Sequence, residues 1–245
     1  MHDERVFREA IRLLDNGQNA HQVATKLGVP WGTVRYWRAG GRSLTRRVSY
    51  NLCRPGDCPW LPPRSGAAYI YLLGLYLGDG TIQKVGRSVQ LRAFLDDRYP
   101  GIQDECAAAI SSVTNGGVVS RVQRVGCTVI GSYSLHWRCL FPQYGAGRKH
   151  LRTIELADWQ QLLADEYPER LLRGLIHSDG CRDLNKTKGH EYPRYSFSNR
   201  SDDIHAIFQR TACRLGIRYT TKQFVTSIAR RPDVARMDEI IGAKY

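Results

Sequence analysis

Two aspartates occupy matching places in this chain, one hundred residues apart. Asp79 closes the run Leu72-Leu73-Gly74-Leu75-Tyr76-Leu77-Gly78 and is followed by Gly80. Asp179 closes Leu171-Leu172-Arg173-Gly174-Leu175-Ile176-His177-Ser178 and is followed by Gly180. An acidic group ending an apolar helix is costly unless something cationic meets it. If the two runs pair as helices, their carboxylates converge, and such a pair repels unless a cation lies between them. The chemistry on offer is a divalent-metal site. A repeat of this kind also implies two similar structural units.

The elements around each aspartate follow from periodicity. In the first unit a helix over 67–78 is followed by strands Thr81–Val85 and Val89–Leu95 around Gly86. In the second strand Val89, Leu91 and Ala93 alternate with Gln90 and Arg92, the two-residue period of a half-buried strand. A helix over Ile102–Val113 and a hairpin, Val118–Val125 with Thr128–Ser134, complete the unit. The second unit repeats the order: a helix from about Glu169 to Ser178, strands Arg182–Lys186 and Tyr192–Ser198, a helix opened by Ser201 and closed by Gly216, strands Tyr219–Phe224 and Val225–Arg230, and a helix Val234–Ile241. Each unit reads αββαββα.

The 245 residues include 36 Lys and Arg against 23 Asp and Glu, a net charge of +13. That balance points to a polyanionic partner, most often nucleic acid. No apolar stretch reaches the roughly 18–20 residues a bilayer span needs. The acidic start Met1-His2-Asp3-Glu4 is unlike a signal peptide. Seven scattered cysteines fit reduced thiols in a cytosol. Cys53 and Cys58 resemble half of a zinc knuckle, but no second pair is evident at ligand spacing, so a plain linker turn is preferred to zinc.

Ahead of the repeats, residues 1–46 read as a small all-α domain. Val6, Phe7, Ala10, Ile11, Leu13 and Leu14 keep helical spacing over 4–16; Asn19 or Ala20 opens a second helix to Leu27; Gly28 turns the chain; a third helix follows Pro30 to about Arg38. This is the helix-turn-helix layout, whose second helix enters the major groove. Trp31, Thr33, Arg35, Tyr36 and Arg38 are the candidate DNA contacts, while Trp37 belongs to the core. Residues 47–66, rich in Pro and Gly, read as a linker.

The two aspartate-tipped runs resemble the paired motifs of LAGLIDADG homing endonucleases, over about residues 67–245. Gly74 with Asp79-Gly80, and Gly174 with Asp179-Gly180, hold the motif's places. Phe141 to His150 resembles the basic loop that closes the first unit in that family. The acidic position two before the final aspartate departs from the pattern, being Leu77 in one copy and His177 in the other. No terminal Asn nucleophile is present, so a free-standing protein is expected rather than an intein.

The resemblance implies an α+β fold: two pseudo-symmetric units, 67–155 and 156–245, form a DNA-binding saddle behind the helix-turn-helix domain. The motif helices would pack through Gly74 and Gly174, with Leu72, Leu75, Leu172 and Leu175 buried. Asp79 and Asp179, with the flanking Gly78 and Ser178, would hold Mg²⁺, for which Mn²⁺ or Ca²⁺ can substitute. Lys149 and Lys222 are the implied basic catalytic residues. Gln83, Lys84, Gln90, Arg92 and Arg148 on one unit, and Arg182, Asn185, Lys186, Arg194, Ser196 and Ser198 on the other, would face the duplex, since groove readout uses long polar side chains on alternating strand positions. The expected activity is metal-dependent, sequence-specific cleavage of double-stranded DNA by a monomer that is an internal pseudo-dimer, in the cytoplasm and associated with the nucleoid. The rival expectation is a transcription regulator using a silent copy of the fold, and RNA processing is a third.

Overall fold

A computed structural model describes residues 2–39, 58–187 and 189–242 and divides the chain into two units, Met1–Cys53 and Arg54–Tyr245. The division falls inside the stretch read as a linker.

The small unit contains α1 (Glu4–Asp15), α2 (Ala20–Leu27) and α3 (Trp31–Arg38). Asp3 caps α1 by accepting from the Arg5 amide. Asn19 and Gln22 form a reciprocal capping box at the start of α2, which satisfies donors that would otherwise have no partner. Gly28 ends α2 at φ +62°, the left-handed conformation that glycine adopts without strain. Phe7, Ala10, Leu13, Val23, Val34 and Trp37 form the core, with the Trp37 ring edge-on to Phe7 at 5.3 Å.

The larger unit is built on two packed helices, α4 (Gly66–Leu77) and α8 (Pro168–Asp179). Every residue of α4 from Tyr69 to Leu77 is buried, as expected of a helix apolar on all sides. Small residues allow the close approach: a Cβ on Gly74 would lie 2.8 Å from the Gly174 Cα, and a Cβ on Gly174 would overlap the Tyr71 carbonyl. The glycine of each Asp-Gly has a similar reason. A Cβ on Gly80 would strike the Tyr76 backbone, and one on Gly180 would lie 2.8 Å from the Ile176 Cα. Each chain segment therefore leaves its helix by folding tightly over the last turn.

From α4 the chain makes β1 (Gly80–Val85), β2 (Ser88–Asp96), α5 (Pro100–Val113), β3 (Ser120–Arg124) and β4 (Cys127–Tyr133). From α8 it makes β5 (Gly180–Thr187), β6 (His190–Ser198), α9 (Asp202–Arg214), β7 (Thr220–Lys222), β8 (Val225–Ile228) and α10 (Arg231–Ile241). The sheets have matching orders, β1-β2-β4-β3 and β5-β6-β8-β7, all antiparallel. The repeated sequence motif thus corresponds to a repeated topology. Two elements were not legible in the sequence: a short helix, α6 (Trp137–Leu140), and α7 (Asp158–Glu166), which bridges the repeats. Among the described residues no helix is long and apolar enough to cross a membrane.

Polar ties lock the two repeats of this unit together. Arg173 on α8 makes a bidentate pair with Glu105 on α5 at 2.8–3.0 Å and also reaches the last carbonyls of α10. Tyr71 and His177 hydrogen-bond across the helix pair at 2.9 Å. Gln160 on α7 donates to the Tyr69 hydroxyl at 2.6 Å, inside the core.

Candidate active site

The helix pairing brings the ends of α4 and α8 side by side, each presenting a half-buried aspartate. A Cβ on Gly78 would overlap Ser178 and lie 2.9 Å from Asp179 Oδ2, so the α8 tip rests directly on the α4 terminus. Two clefts open there. One is lined by Asp179, Leu77, Gly78, Lys149, His150, Ser198, Asn199 and Arg200. The other contains Asp79, Asp96, Arg98, Tyr99, His177, Ser178 and Cys181. Each pairs the aspartate of one repeat with helix-end residues of the other.

Lys149 sits in a single 3-10 turn and buries its ammonium against the α4 terminus. Its Nζ donates to the carbonyls of Tyr76, Leu77 (2.9 Å) and Gly78 (2.7 Å). These are carbonyls that a helix end leaves without intrahelical donors. A charged amine at a helix C-terminus is also favoured by the helix dipole. Serving three acceptors takes all three protons of the ammonium. Burial pulls its pKa down to about 8, while the charges of Asp179 and Asp79 resist the fall and that of Arg152 adds to it. Both aspartates thus act electrostatically on one lysine.

Asp179 is also held from its own repeat. Asn199 donates to Asp179 Oδ2 at 2.6 Å. Asn199 is in turn fixed by the Ser201 amide on its Oδ1 (2.8 Å) and by buried His205, whose Nε2 donates to the Asn199 carbonyl at 2.9 Å. Ser178 turns its hydroxyl onto the Gly174 and Leu175 carbonyls at 3.1 and 3.0 Å, closing the last turn of α8. The ligand set at the two tips is two carboxylates; of the flanking groups expected beside them, the Gly78 carbonyl already accepts from Lys149 and the Ser178 hydroxyl is turned onto its own helix. An all-oxygen set of this kind suits Mg²⁺, Mn²⁺ or Ca²⁺ rather than a thiophilic metal.

Strand register sorts the expected DNA contacts. Residues directly opposite in an antiparallel pair share a face. Gln83 pairs with Gln90, and Thr81 with Arg92, on the face away from the buried Ile82, Leu91 and Ala93. Arg92 donates to Gln83 at 2.7 Å along that face. Lys84 pairs with Val89 and lies on the opposite, core-side face. In the second sheet Arg194, Ser196 and Ser198 share a face with Asn185. Arg182 and Lys186 do not, because Arg182 pairs with buried Tyr195 and Lys186 with Glu191. Arg182 is bound to Asp238 at 2.8 Å and Lys186 to Glu191 at 2.8 Å. The expectation that Lys84, Arg182 and Lys186 lie with the others is therefore corrected. A strand's two-residue period puts neighbours on opposite faces, and polarity alone does not reveal the face at a strand's exposed end.

Lys222 pairs with Val225, which is opposite Ser198, so it lies on the open face of the second sheet and lines neither cleft. Arg148 is exposed beside Lys149. In the small unit Arg35 sits over the Trp31 ring at 5.3 Å, and His21 stacks with the same ring at 5.1 Å. Trp31, Arg35, Tyr36 and Arg38 are exposed and Thr33 is half-buried.

Sequence reading missed Asn199, Arg200 and Arg98. The signal was present: Ser198-Asn199-Arg200 and Asp96-Asp97-Arg98 end the second strand of each repeat at corresponding places. It also missed His136, which meets Cys58 with Nδ1 3.3 Å from Sγ. Cys53 lies outside the described residues.

No family model and no curated protein matches the chain. Solved structures do. Mesophilic variants of the homing endonuclease I-DmoI superpose with a TM-score of 0.50 at 17% identity, over 73% of this chain and 92% of theirs. I-DmoI in complex with DNA and Mn gives 0.49 at 17% identity over 74% and 99%. The N-terminal LAGLIDADG domain of WhiA gives 0.45 at 12% identity over 83% and 92%. The larger unit of this chain has the α+β fold of the LAGLIDADG homing endonucleases.

Proposed function

We propose that this chain is a metal-dependent endonuclease that cleaves double-stranded DNA at specific sequences. The observation that carries the reading is that two matched repeats pack so that the Asp79-bearing end of α4 rests directly on the Asp179-bearing end of α8, where a Cβ on Gly78 would overlap Ser178 and lie 2.9 Å from Asp179 Oδ2. Asp79 and Asp179 would hold Mg²⁺, with water completing its shell. When bound, such an ion supplies Lewis-acid stabilisation of the phosphoryl oxygens and lowers the pKa of a nearby water.

The chain's own groups do the rest. The two carboxylates orient the attacking water by accepting its hydrogen bonds, and the cationic side chains of the clefts, not the carboxylates, meet the charge that develops on the phosphoryl and leaving oxygens. Asn199 keeps Asp179 turned toward the cleft. Arg200 offers charge to phosphate in the Asp179 cleft, which His150 also lines, and in the Asp79 cleft Arg98, held by Asp96 at 2.6 Å, does so. Lys149 is a positioning residue, because its three protons are engaged by the α4 carbonyls. It fixes the Gly78–Asp79 tip and balances the two negative charges when no cation is present. The open faces carrying Gln83, Gln90 and Arg92, and Asn185, Arg194, Ser196 and Ser198, read the duplex. Lys222 and Arg148 contact phosphates. The protein acts as a monomer on nucleoid DNA in the cytoplasm.

Incubation of the purified protein and Mg²⁺ with a plasmid library of varied inserts tests this. A subset of sequences is expected to be linearised, and no cleavage of any sequence that the protein binds overturns the nuclease in favour of a silent DNA-binding regulator. Two further results are expected. The cation on Lys149 is present below about pH 8 and lost above it. The cleavage rate should therefore fall on the alkaline side of about pH 8, and Lys149→Met should be slow with that limb absent, which a role in folding alone would not produce.

The small unit adds affinity through α3. Its exposed face of Trp31, Arg35 and Arg38 is the part offered to the major groove. Arg35→Ala is expected to weaken DNA binding by about 5- to 150-fold, the range of 1–3 kcal/mol for a lost base contact, in a fluorescence-anisotropy titration at fixed salt. Unchanged affinity would remove the unit from the DNA interface.

A further inference from the structure

Cys58 and His136 meet although 78 residues separate them. The thiol is 5% exposed, and the imidazole is half-buried beneath Trp60, which stacks on it with centroids 4.4 Å apart. A thiolate and an imidazole bound to one tetrahedral zinc, with bonds of about 2.3 and 2.05 Å, stand about 3.5 Å apart. The observed 3.3 Å is close to that edge. A thiol–imidazole hydrogen bond would leave the same spacing, so the donor chemistry around the pair decides.

His136 stands at the residue before α6, and Cys139 follows three residues later with its amide bonded to the His136 carbonyl. His136-Trp137-Arg138-Cys139 therefore supplies, with the two-residue gap common in zinc sites, the second pair that the sequence reading did not recognise. One helical turn places residues three apart on the same side. Cys139 is 2% exposed and, like Cys58, is in no disulfide among the described residues. Among the described residues no three His, Cys, Asp or Glu side chains already stand together as a metal group. The pair is thus a half-assembled site with a third donor one turn away.

We propose that Cys58, His136 and Cys139 bind a zinc ion, whose fourth tetrahedral position is left to water or a further donor, and that it pins the chain entering α4 to α6 and the end of the β3–β4 hairpin. The donor set, sulfur and nitrogen, selects zinc over the hard cation suited to the Asp79–Asp179 tips. The site is separate from the catalytic one and does not rest on the nuclease reading.

Titration of the reduced, chelator-treated full chain with Co²⁺ tests it, because cobalt reports its ligands. Expected is a near-ultraviolet thiolate-to-cobalt charge-transfer band with the intense visible bands of a tetrahedral ion, saturating near one equivalent and bleached by Zn²⁺. The band should persist in Asp79→Asn/Asp179→Asn and in Cys213→Ser, and be lost in Cys58→Ser, His136→Asn and Cys139→Ser. A wild-type spectrum without the charge-transfer band overturns the proposal, as does a band unchanged by any of those three single substitutions. If a variant fails to fold, the wild-type spectrum decides together with the zinc content of protein purified without chelator: near one equivalent supports the site, and well below one equivalent overturns it. Loss of DNA cleavage with the cobalt band intact bears on the nuclease alone.

Discussion

Replacement of either Asp79 or Asp179 by asparagine is expected to lower the rate of DNA cleavage by at least about 10³-fold while leaving DNA affinity within a few-fold. Removing a carboxylate from an oxygen-ligand site withdraws several kcal/mol of transition-state stabilisation, and each 1.4 kcal/mol is a factor of ten. Asparagine keeps the size of the side chain and most of its packing, so the helix junction should survive. In Asp179→Asn the Asn199 side chain still has an amide oxygen to donate to. The substitution has a second consequence. Asp179 is the stronger of the two charges that keep Lys149 protonated. Its loss should move the alkaline limb of any residual activity to lower pH, whereas Asp79→Asn should move it less. Single-turnover cleavage of a bound site across a pH series, with anisotropy for affinity, measures both. Variants that cleave at the wild-type rate would show that these carboxylates hold no essential ion, and the regulator reading would then stand.

The largest stability effect is expected at the helix crossing. Gly174→Val should destabilise the larger unit by about 3 kcal/mol or more, or prevent its folding, because overpacking a close-packed contact typically costs 1–3 kcal/mol and here the obstacle is rigid backbone. The atoms in the way are the Tyr71 carbonyl and the Gly74 backbone, not the end of a flexible side chain. Gly74→Val meets the Gly174 backbone and the Leu171 carbonyl at 2.8 Å and should behave alike. By contrast Gly126→Ala, at an exposed hairpin turn with φ +76°, meets nothing within 4 Å and incurs only the left-handed backbone strain. Urea unfolding followed by tryptophan fluorescence separates the cases. Equal stability of Gly174→Val and wild type would mean that the helices do not cross at these glycines.

Much of this molecule was legible in its sequence because local physics wrote it there. The 3.6-residue period of α1 and the two-residue period of β2 each bury one face, so composition along the chain reports the element. The paired Asp-Gly termini announced the duplicated topology, since only glycine can fold back over the preceding turn at positions 80 and 180. The two glycines at the crossing were equally visible as small residues inside apolar runs. Bridging helix α7 was not, because its buried residues, Gln160 and Ala164, are few and partly polar, and tertiary hydrogen bonds to Tyr69 and Gln143 hold it in place.

Side-chain partnership across the chain belonged to the tertiary structure alone. Which face Lys84, Arg182 and Lys186 take depends on register, and a shift by one residue reverses every side chain in a strand. That Lys149 directs its charge onto the α4 carbonyls, that Asn199 holds Asp179, and that Cys58 finds His136 are contacts across 20 to 78 residues. Sequence determined the two repeats, their acidic tips and the basic character of the whole, because those follow from residue type and local period. Only folding decided which groups share a pocket, because such encounters depend on how packed helices and sheets are set against one another, and no local pattern encodes that distance.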